Sequence, residues 1–430
     1  MIAHENTFEI STLTIPLAMQ GAHDVNSPKP PKITRIETAA IRCVGPSVLV
    51  KIWADETYGL GECYPSAPAA AIHHIIQSLG EEITGEDPRN VERLAEKLRL
   101  WNIFTGGQGG SVTTAISGIE MALWDLAGKL QNVPVYRLLG GAFRTSIRLY
   151  ADCNAGTVDA AAHHVYEVRE GALVGDDEAG SLAEATKAEV DRGFTALKFD
   201  IDDITGPLHR DYWNRTASAA EIAVMVVKVD AVRNAVGPEI DVAVDMHGRY
   251  DVPTSIRVAQ ALEPYNLMWL EEPVPPENIE ALAEVRRKTS TPICAGENVY
   301  TRFQFQPLLA AHAVDVVMPD LAKCGGLAEG KRIANMAEMD YIPFSPHNVS
   351  SPIGTIAMAH VCAAVSNFMV LEWHAADLPH WPDFIHYSGG QIIVNGSIQL
   401  TEAPGFGLEL NEDVAFEHRH TKGGMPFFDR

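Results

Sequence analysis

The chain has 430 residues, 46% of them hydrophobic and 21% charged, with a formal net charge of −23. That is the profile of a soluble globular protein with length for one large domain and a smaller one. The charge argues against nucleic acid or an anionic membrane surface as a partner.

The six cysteines, Cys43, Cys63, Cys153, Cys294, Cys324 and Cys362, are scattered and form no Cys-x-x-Cys pair. They read as buried thiols in a reducing compartment rather than as a disulfide framework or zinc site. No uninterrupted apolar stretch reaches membrane-spanning length. Residues 12–19 lack the basic flank of a signal peptide, so a cytoplasmic protein is expected.

Residues 1–31 carry no strong periodicity and close on Pro28-Lys29-Pro30-Pro31, which reads as an N-terminal extension ending in a linker. Strand patterns follow over 33–44 and 47–54, with a tight turn at Gly45-Pro46, and a third over 59–64. Helical patterns cover 69–79 and 90–100. The clearest helix spans 111–130, where Ala115, Ile116, Ile119, Ala122, Leu123, Leu126 and Ala127 recur at helical spacing. Strands followed by helices in one block predict an α+β capping unit over residues 32–145.

After Gly141 the rhythm becomes strand–helix alternation. Predicted strands are 148–153, 196–199, 242–246, 268–271, 293–295, 316–318, 341–344 and 369–372, with helices such as 219–236 and 279–288 between them. Eight strands in this alternation predict a TIM-like α/β barrel over residues 146–385. From residue 386 to 430 short strands return, and this tail is expected to pack back on the capping unit.

The barrel pattern gains chemical content at its strand ends. Asp245 ends the apolar run Val242-Ala243-Val244; Glu271 comes 26 residues later and Glu297 another 26. One strand, one helix and two loops take roughly that length. The three acids therefore converge on one mouth. Like charges at close range raise one another's pKa, so an uncompensated triad is unfavourable. A hard divalent cation is the simplest remedy, and all-oxygen ligation suggests Mg²⁺, one per subunit. Lys198 and Asp200, His247, Asp320, His347 and Glu372 end further predicted strands on the same catalytic face.

The stretch Ser117-Gly118-Ile119-Glu120-Met121-Ala122-Leu123-Trp124-Asp125-Leu126-Ala127-Gly128-Lys129, with Leu138-Leu139-Gly140-Gly141, resembles the cap-domain signature of the enolase superfamily. Trp269-Leu270-Glu271-Glu272-Pro273, Gly296-Glu297-Asn298 and Met318-Pro319-Asp320 resemble its mandelate racemase branch. The resemblance runs from about Ile33 to Leu410. It implies a (β/α)₇β barrel under an α+β cap, Mg²⁺ on Asp245, Glu271 and Glu297, and abstraction of a proton α to a carboxylate to give a metal-stabilised enediolate. It also implies that Asp320 and His347 form the family's acid–base dyad. In such a dyad a carboxylate fixes the tautomer and raises the basicity of the imidazole.

Two departures narrow the reaction. Racemases of this branch carry Lys-x-Lys on the second strand, whereas this chain has Lys198-Phe199-Asp200, so a base on the opposite face is missing unless Asp200 serves. Asp245-Met246-His247-Gly248-Arg249 resembles the Asp-x-His-Gly-Arg motif of gluconate and galactonate dehydratases. The expected reaction is thus dehydration of a five- or six-carbon aldonate to a 2-keto-3-deoxy acid. His347 would take the C2 proton, and His247 or His347 would assist loss of the C3 hydroxyl. Lys198, and Glu372 if protonated, would stabilise the developing charge.

Substrate contacts are expected from Asp200, Arg249, Asn298 and Arg302. Candidate lid segments are residues 202–215 and 374–386, with Tyr64 a further candidate. The alternatives are an epimerase or cycloisomerase on the same scaffold, or a catalytically silent homologue with a binding role. The resemblance also implies a homo-oligomer acting on a small acid sugar.

Overall fold

The computed structural model describes residues 29–65, 68–153, 176–202, 214–421 and 427–428. Most of the expected N-terminal extension and of the 202–215 segment lies outside the described residues.

The capping unit opens with an antiparallel sheet of β1 (Ile33–Arg42), β2 (Pro46–Ala54) and β3 (Thr57–Glu62). Helices α1 (Ala69–Ile83), α2 (Val91–Trp101) and α3 (Gly110–Gln131) follow. Sixteen consecutive residues of α3, from Thr113 to Gly128, are buried. A helix buried on all sides is a core element, and α3 lies between the cap sheet and the barrel. Its close approach to β3 requires glycine. A Cβ on Gly59 would meet the Ala122 carbonyl at 2.1 Å, and one on Gly61 the Gly118 carbonyl at 2.2 Å.

A short helix α4 (Val135–Leu138) leads into the barrel. Its parallel strands are β4 (Ser146–Asp152), β5 (Ala196–Asp200), β6 (Asp241–Asp245), β7 (Trp269–Glu271), β8 (Ile293–Ala295), β9 (Val316–Val317) and β10 (Leu371–Trp373). The sheet closes where β10 pairs with β4, Leu371 opposite Leu149 and Trp373 opposite Ala151. The outer helices include α5 (Asp176–Asp191), α6 (Ala219–Val236), α7 (Val252–Leu262), α8 (Ile279–Arg287), α9 (Thr301–Ala310), α10 (Leu327–Glu338) and α11 (Pro352–Ala363). The TIM-like barrel with an α+β cap is borne out.

One strand differs from expectation. The seventh, predicted over 341–344, survives only as parallel bridges, Val317 to Phe344, Phe344 to Phe368 and Asp320 to His347. The cause is local. Tyr341 is in the left-handed region at φ +59° and 94% exposed. Pro343 and Pro346 lack the N–H that a regular ladder needs. Ser345 N–H still donates to Val317 O at 3.0 Å, which is enough to hold His347 in register.

The tail forms β11 (Ile385–Tyr387), β12 (Ile393–Val394), β13 (Ser397–Gln399), β14 (Leu408–Leu410) and α12 (Glu412–Glu417). It touches the cap directly: His420 N–H donates to Ala40 O at 2.8 Å, and Phe406 N–H donates to Asp125 Oδ1 at 2.8 Å.

Two buried cap carboxylates grip barrel helices at their N-termini, where free N–H groups and the helix dipole favour an anion. Glu62 accepts from Ser351 N–H (3.1 Å), Ser351 Oγ (2.6 Å) and Gly354 N–H (3.0 Å) at the start of α11. Glu120 accepts from Leu327 N–H (2.7 Å) and Ala328 N–H (2.9 Å) at the start of α10, and from Trp124 Nε1 (2.7 Å). Burial nevertheless wins at Glu120 and pushes its carboxyl up to about 7. An acid whose folded pKa is raised stabilises the fold fully below its unfolded pKa, and loses that contribution as pH rises through the folded one. Between about pH 4.5 and 7 Glu120 should thus lower stability as pH rises, by about 3 kcal/mol across the window. Glu120→Gln should flatten that part of the profile in urea unfolding at pH 5 and pH 8. An unchanged slope would mean that the carboxyl is already ionised at pH 5.

Candidate active site

The barrel core below the mouth holds Tyr150, Ala196, Ala243, Trp269, Cys294, Met318 and Val370. Above this apolar floor the strand ends deliver their polar residues. Lys198 is the hub. Its ammonium lies 2.7 Å from Glu372, 3.0 Å from Glu271, 3.4 Å from Asp245 and 3.5 Å from Asp152. These five residues are all buried. Burial opposes the charge of Lys198, but Glu271 and Glu372 more than compensate and hold its pKa well above the ordinary value.

Glu271 is held from both sides. Oε1 faces Lys198, and Oε2 accepts from Trp269 Nε1 at 2.9 Å. Burial first, then Asp245, keeps its carboxyl well above the usual range. At Asp245 burial works in the same direction, but His247 and Lys198 outweigh it and the pKa is lowered. Glu297 turns its Oε2 to His347 Nε2 at 2.8 Å. Burial would raise its pKa, yet the imidazole holds it well below the usual range.

His347 is clamped. Nδ1 lies 2.7 Å from Asp320 Oδ2, leaving Nε2 toward Glu297 and, at 3.7 Å, Glu372. Burial disfavours its charge, but Glu297 and Glu372 hold its pKa well above the ordinary value. Glu372 Oε2 accepts from Asn348 N–H at 2.7 Å, which ties the His347 loop to the last barrel strand.

His247 stands across Asp245 from these groups. Nδ1 lies 3.0 Å from Asp202, and Nε2 lies 3.8 Å from both Asp200 and Asp245. Burial pushes Asp200 up to about 7, against the pull of His247. Two mouth residues adopt left-handed backbone conformations, His247 at φ +46° and Glu272 at φ +32°. Strain of this kind at non-glycine residues concentrates at functional sites.

Among the described residues, two groups of three bring possible ligand atoms within 4.8 Å: Asp200, Asp245 and His247, and Asp152, Glu372 and His374. Asp245, Glu271 and Glu297 are not such a group, because Lys198 lies between the first two and His347 draws the third aside. The donor set nonetheless fits a hard cation. All three are carboxylates, Asp245 and Glu271 buried and Glu297 partly so, and Glu271 in particular is destabilised as an anion by its neighbours. The site is acidic enough to hold a metal ion.

Residues 24–140 match the N-terminal domain family of mandelate racemase and muconate lactonizing enzyme, and residues 181–414 match the enolase C-terminal domain-like family. A D-xylonate dehydratase from Haloferax volcanii is 38% identical over 93% of this chain and 91% of its own. The chain belongs to the mandelate racemase branch of the enolase superfamily. A D-galactonate dehydratase from Xanthomonas euvesicatoria is 31% identical over 89% of this chain and 93% of its own. A solved mandelate racemase/muconate lactonizing enzyme-like protein from Rubrobacter xylanophilus superposes with a TM-score of 0.88 at 68% identity, covering 93% of this chain and all of that one.

Within this branch member, the expected substrate residues divide. Asn298 is at the acids, donating to Glu297 and Glu272 at 2.8 Å each. Arg249 donates to Asp202 O beside His247. Arg302 differs: its guanidinium pairs with Glu329 at 2.5 Å and stacks over Phe303, away from the acid cluster. It is the second residue of α9 and not a strand-end residue, so the strand-end logic does not carry to it.

Of the expected lid over 374–386, His374 faces Asp152 at 2.9 Å, and Trp381 is buried and donates to Ser350 O. Three neighbours were not singled out from sequence as site residues. Trp269 supports Glu271, Glu272 binds Asn298, and Lys323 lies against Tyr64 near Glu297. Trp269 and Glu272 were visible only as motif letters, and Lys323 was masked by the two glycines after it. Among the described residues no helix is long and apolar enough to cross a membrane.

Proposed function

We propose that this protein is a Mg²⁺-dependent sugar-acid dehydratase, a hydro-lyase that converts a five- or six-carbon aldonate to its 2-keto-3-deoxy acid. The observation that carries the reading is the His347 imidazole, fixed at Nδ1 by Asp320 and aimed through Nε2 into the acid cluster. The D-xylonate and D-galactonate dehydratases support the substrate class.

Mg²⁺ held by Asp245, Glu271 and Glu297 would neutralise the charge that builds on the substrate carboxylate. With Glu297 engaged as a ligand, His347 would lose the neighbour that most raises its pKa. His347 Nε2 then takes the C2 proton. The C2–H electron pair moves toward the carboxylate, where Lys198 adds a fixed positive charge. As that pair returns to form the C2–C3 double bond, the C3–O bond breaks and His247 delivers a proton to the departing hydroxide, giving water. The enol tautomerises to the 2-keto acid. A cytoplasmic setting agrees with six free, buried cysteines. Assembly as a homo-oligomer agrees with exposed Trp101, Phe104 and Phe303.

A semicarbazide assay for 2-keto acids on D-xylonate, D-gluconate and D-galactonate tests the reading. Keto product should form with Mg²⁺ and disappear with EDTA. A C2 epimer or a lactone without keto product would replace dehydration by epimerisation or cycloisomerisation. No turnover with metal binding retained would indicate a silent homologue. His247→Asn should slow keto formation by about 10²–10³-fold while leaving C2 exchange with solvent deuterium within a few-fold. Equal loss of both would make His247 a binding residue.

A further inference from the structure

We infer that Lys323, packed on Tyr64 of the capping unit, is a substrate-contacting residue that donates to a hydroxyl of the sugar acid beyond C3. The inference rests on the sugar-acid reading above and adds a specificity contact on the cap side of the site.

Lys323 sits in the turn between β9 and α10, three residues after Asp320, with its N–H donating to Asp320 O at 3.2 Å. It is only 5% exposed. Its ammonium lies 4.0 Å from the centroid of the Tyr64 ring, and the Tyr64 ring lies 6.1 Å from that of His347. Tyr64 N–H donates to Ala322 O at 3.1 Å, which locks the cap strand end to the same turn. The lysine is thus fixed beside the proposed base, in contact with the cap.

An ammonium has three donors and no acceptor. The one hydrogen bond of the Lys323 ammonium among the described residues is a long one, 3.4 Å to Asn298 Oδ1, and no carboxylate there lies within 4.0 Å of it. Lys198, a few residues from the same centre, shows the contrast: it is ringed by four carboxylates. Burial opposes the charge of Lys323, but Tyr64, Glu297 and Asp320 outweigh it and keep the ammonium charged; what it lacks is close acceptors for its donors, which a ligand can supply. The substrate carboxylate belongs at the acid cluster with the cation, and what remains of an aldonate is a row of hydroxyls. A hydroxyl oxygen accepting from Lys323 would complete its hydrogen bonds. It would also make the cap report on the length and configuration of the sugar chain.

The test compares Lys323→Met and Lys323→Arg with the wild-type protein on D-xylonate and its 4-deoxy and 5-deoxy analogues, with Mg²⁺ affinity measured by calorimetry. Lys323→Met should lower kcat/KM on D-xylonate by about 10- to 100-fold, as expected for loss of a hydrogen bond from a charged donor. Lys323→Arg should recover part of that loss. Mg²⁺ affinity should stay within about threefold, and one deoxy analogue should be turned over equally well by wild type and Lys323→Met. Parallel loss of Mg²⁺ affinity would overturn the contact and make Lys323 a support for Glu297. An unchanged kcat/KM, or equal discrimination against both analogues in wild type and variant, would also overturn it. If the wild type turns over no aldonate, the dehydratase reading fails. Calorimetric binding of D-xylonate to wild type and Lys323→Met then decides the contact alone, equal affinity overturning it.

Discussion

His347→Asn is expected to reduce keto-acid formation by about 10²–10⁴-fold and to remove C2 exchange with solvent deuterium to the same extent. Asparagine can keep a hydrogen bond to Asp320, so the loop carrying residue 347 should hold its place. What it lacks is a titratable nitrogen. The reaction needs a group that accepts a proton from carbon, and His347 Nε2 is the nitrogen aimed at the cluster while Nδ1 is committed to Asp320. The measurement is deuterium incorporation at C2 by NMR in the variant loaded with Mg²⁺. Exchange at the wild-type rate would remove His347 as the base and pass that role to the His247–Asp200 side, where a second imidazole faces the acids. Mg²⁺ affinity measured alongside separates loss of the base from damage to Glu297, which shares a 2.8 Å contact with the imidazole.

The strand ends were legible because barrel geometry turns sequence spacing into position. Residues that close parallel strands emerge on one face, so Lys198, Asp245, Glu271 and Glu372 could be grouped from sequence, and the structure joins them within 3.5 Å of one ammonium. The eight-strand alternation followed from the same rhythm, while the (β/α)₇β order was implied by the family resemblance. The seventh strand was misjudged in kind, since an apolar pattern does not show that two prolines remove its ladder donors. Its consequence, the Asp320–His347 register, was still readable from spacing.

Contacts between side chains were less legible. No sequence pattern says that Lys198 lies between Asp245 and Glu271, or that Glu297 turns toward His347, because those choices are settled by electrostatics among groups far apart in the chain. Arg302 shows the limit from the other side. A residue five positions past Glu297 invites a role at the site, but a β-to-α loop can turn its next side chain outward, and here Glu329 holds it. The cap contacts of Glu62, Glu120 and Lys323 were hidden for a related reason. A carboxylate in the cap gains meaning only when a barrel helix presents its N-terminus to it.

Lys198→Met is expected to cost about 3–5 kcal/mol of stability at pH 8, the usual consequence of removing one partner from a buried ionic cluster. The four carboxylates around the ammonium would be left with excess buried negative charge. Lys198 itself has a raised folded pKa, so its contribution is complete below its unfolded value near 10.4 and does not change between pH 5 and pH 8. Any pH dependence of the loss in that range must come from the acids. Glu271 already has a raised pKa and should rise further without the lysine. The variant should therefore regain stability as pH falls from 8 to 5, because protonation relieves the repulsion. Saturating Mg²⁺ should also restore part of the loss, since a cation bound only by the folded state stabilises it by mass action. Urea unfolding at both pH values, with Mg²⁺ and with EDTA, reads both effects. A loss insensitive to pH and to Mg²⁺ would mean that the lysine stem, not its charge, is what the site needs. Turnover should fall by about 10²–10³-fold even with Mg²⁺ restored, because the metal cannot supply the second positive charge that Lys198 holds beside the substrate. Full activity in the Mg²⁺-loaded variant would reduce Lys198 to a counter-ion for the empty acids.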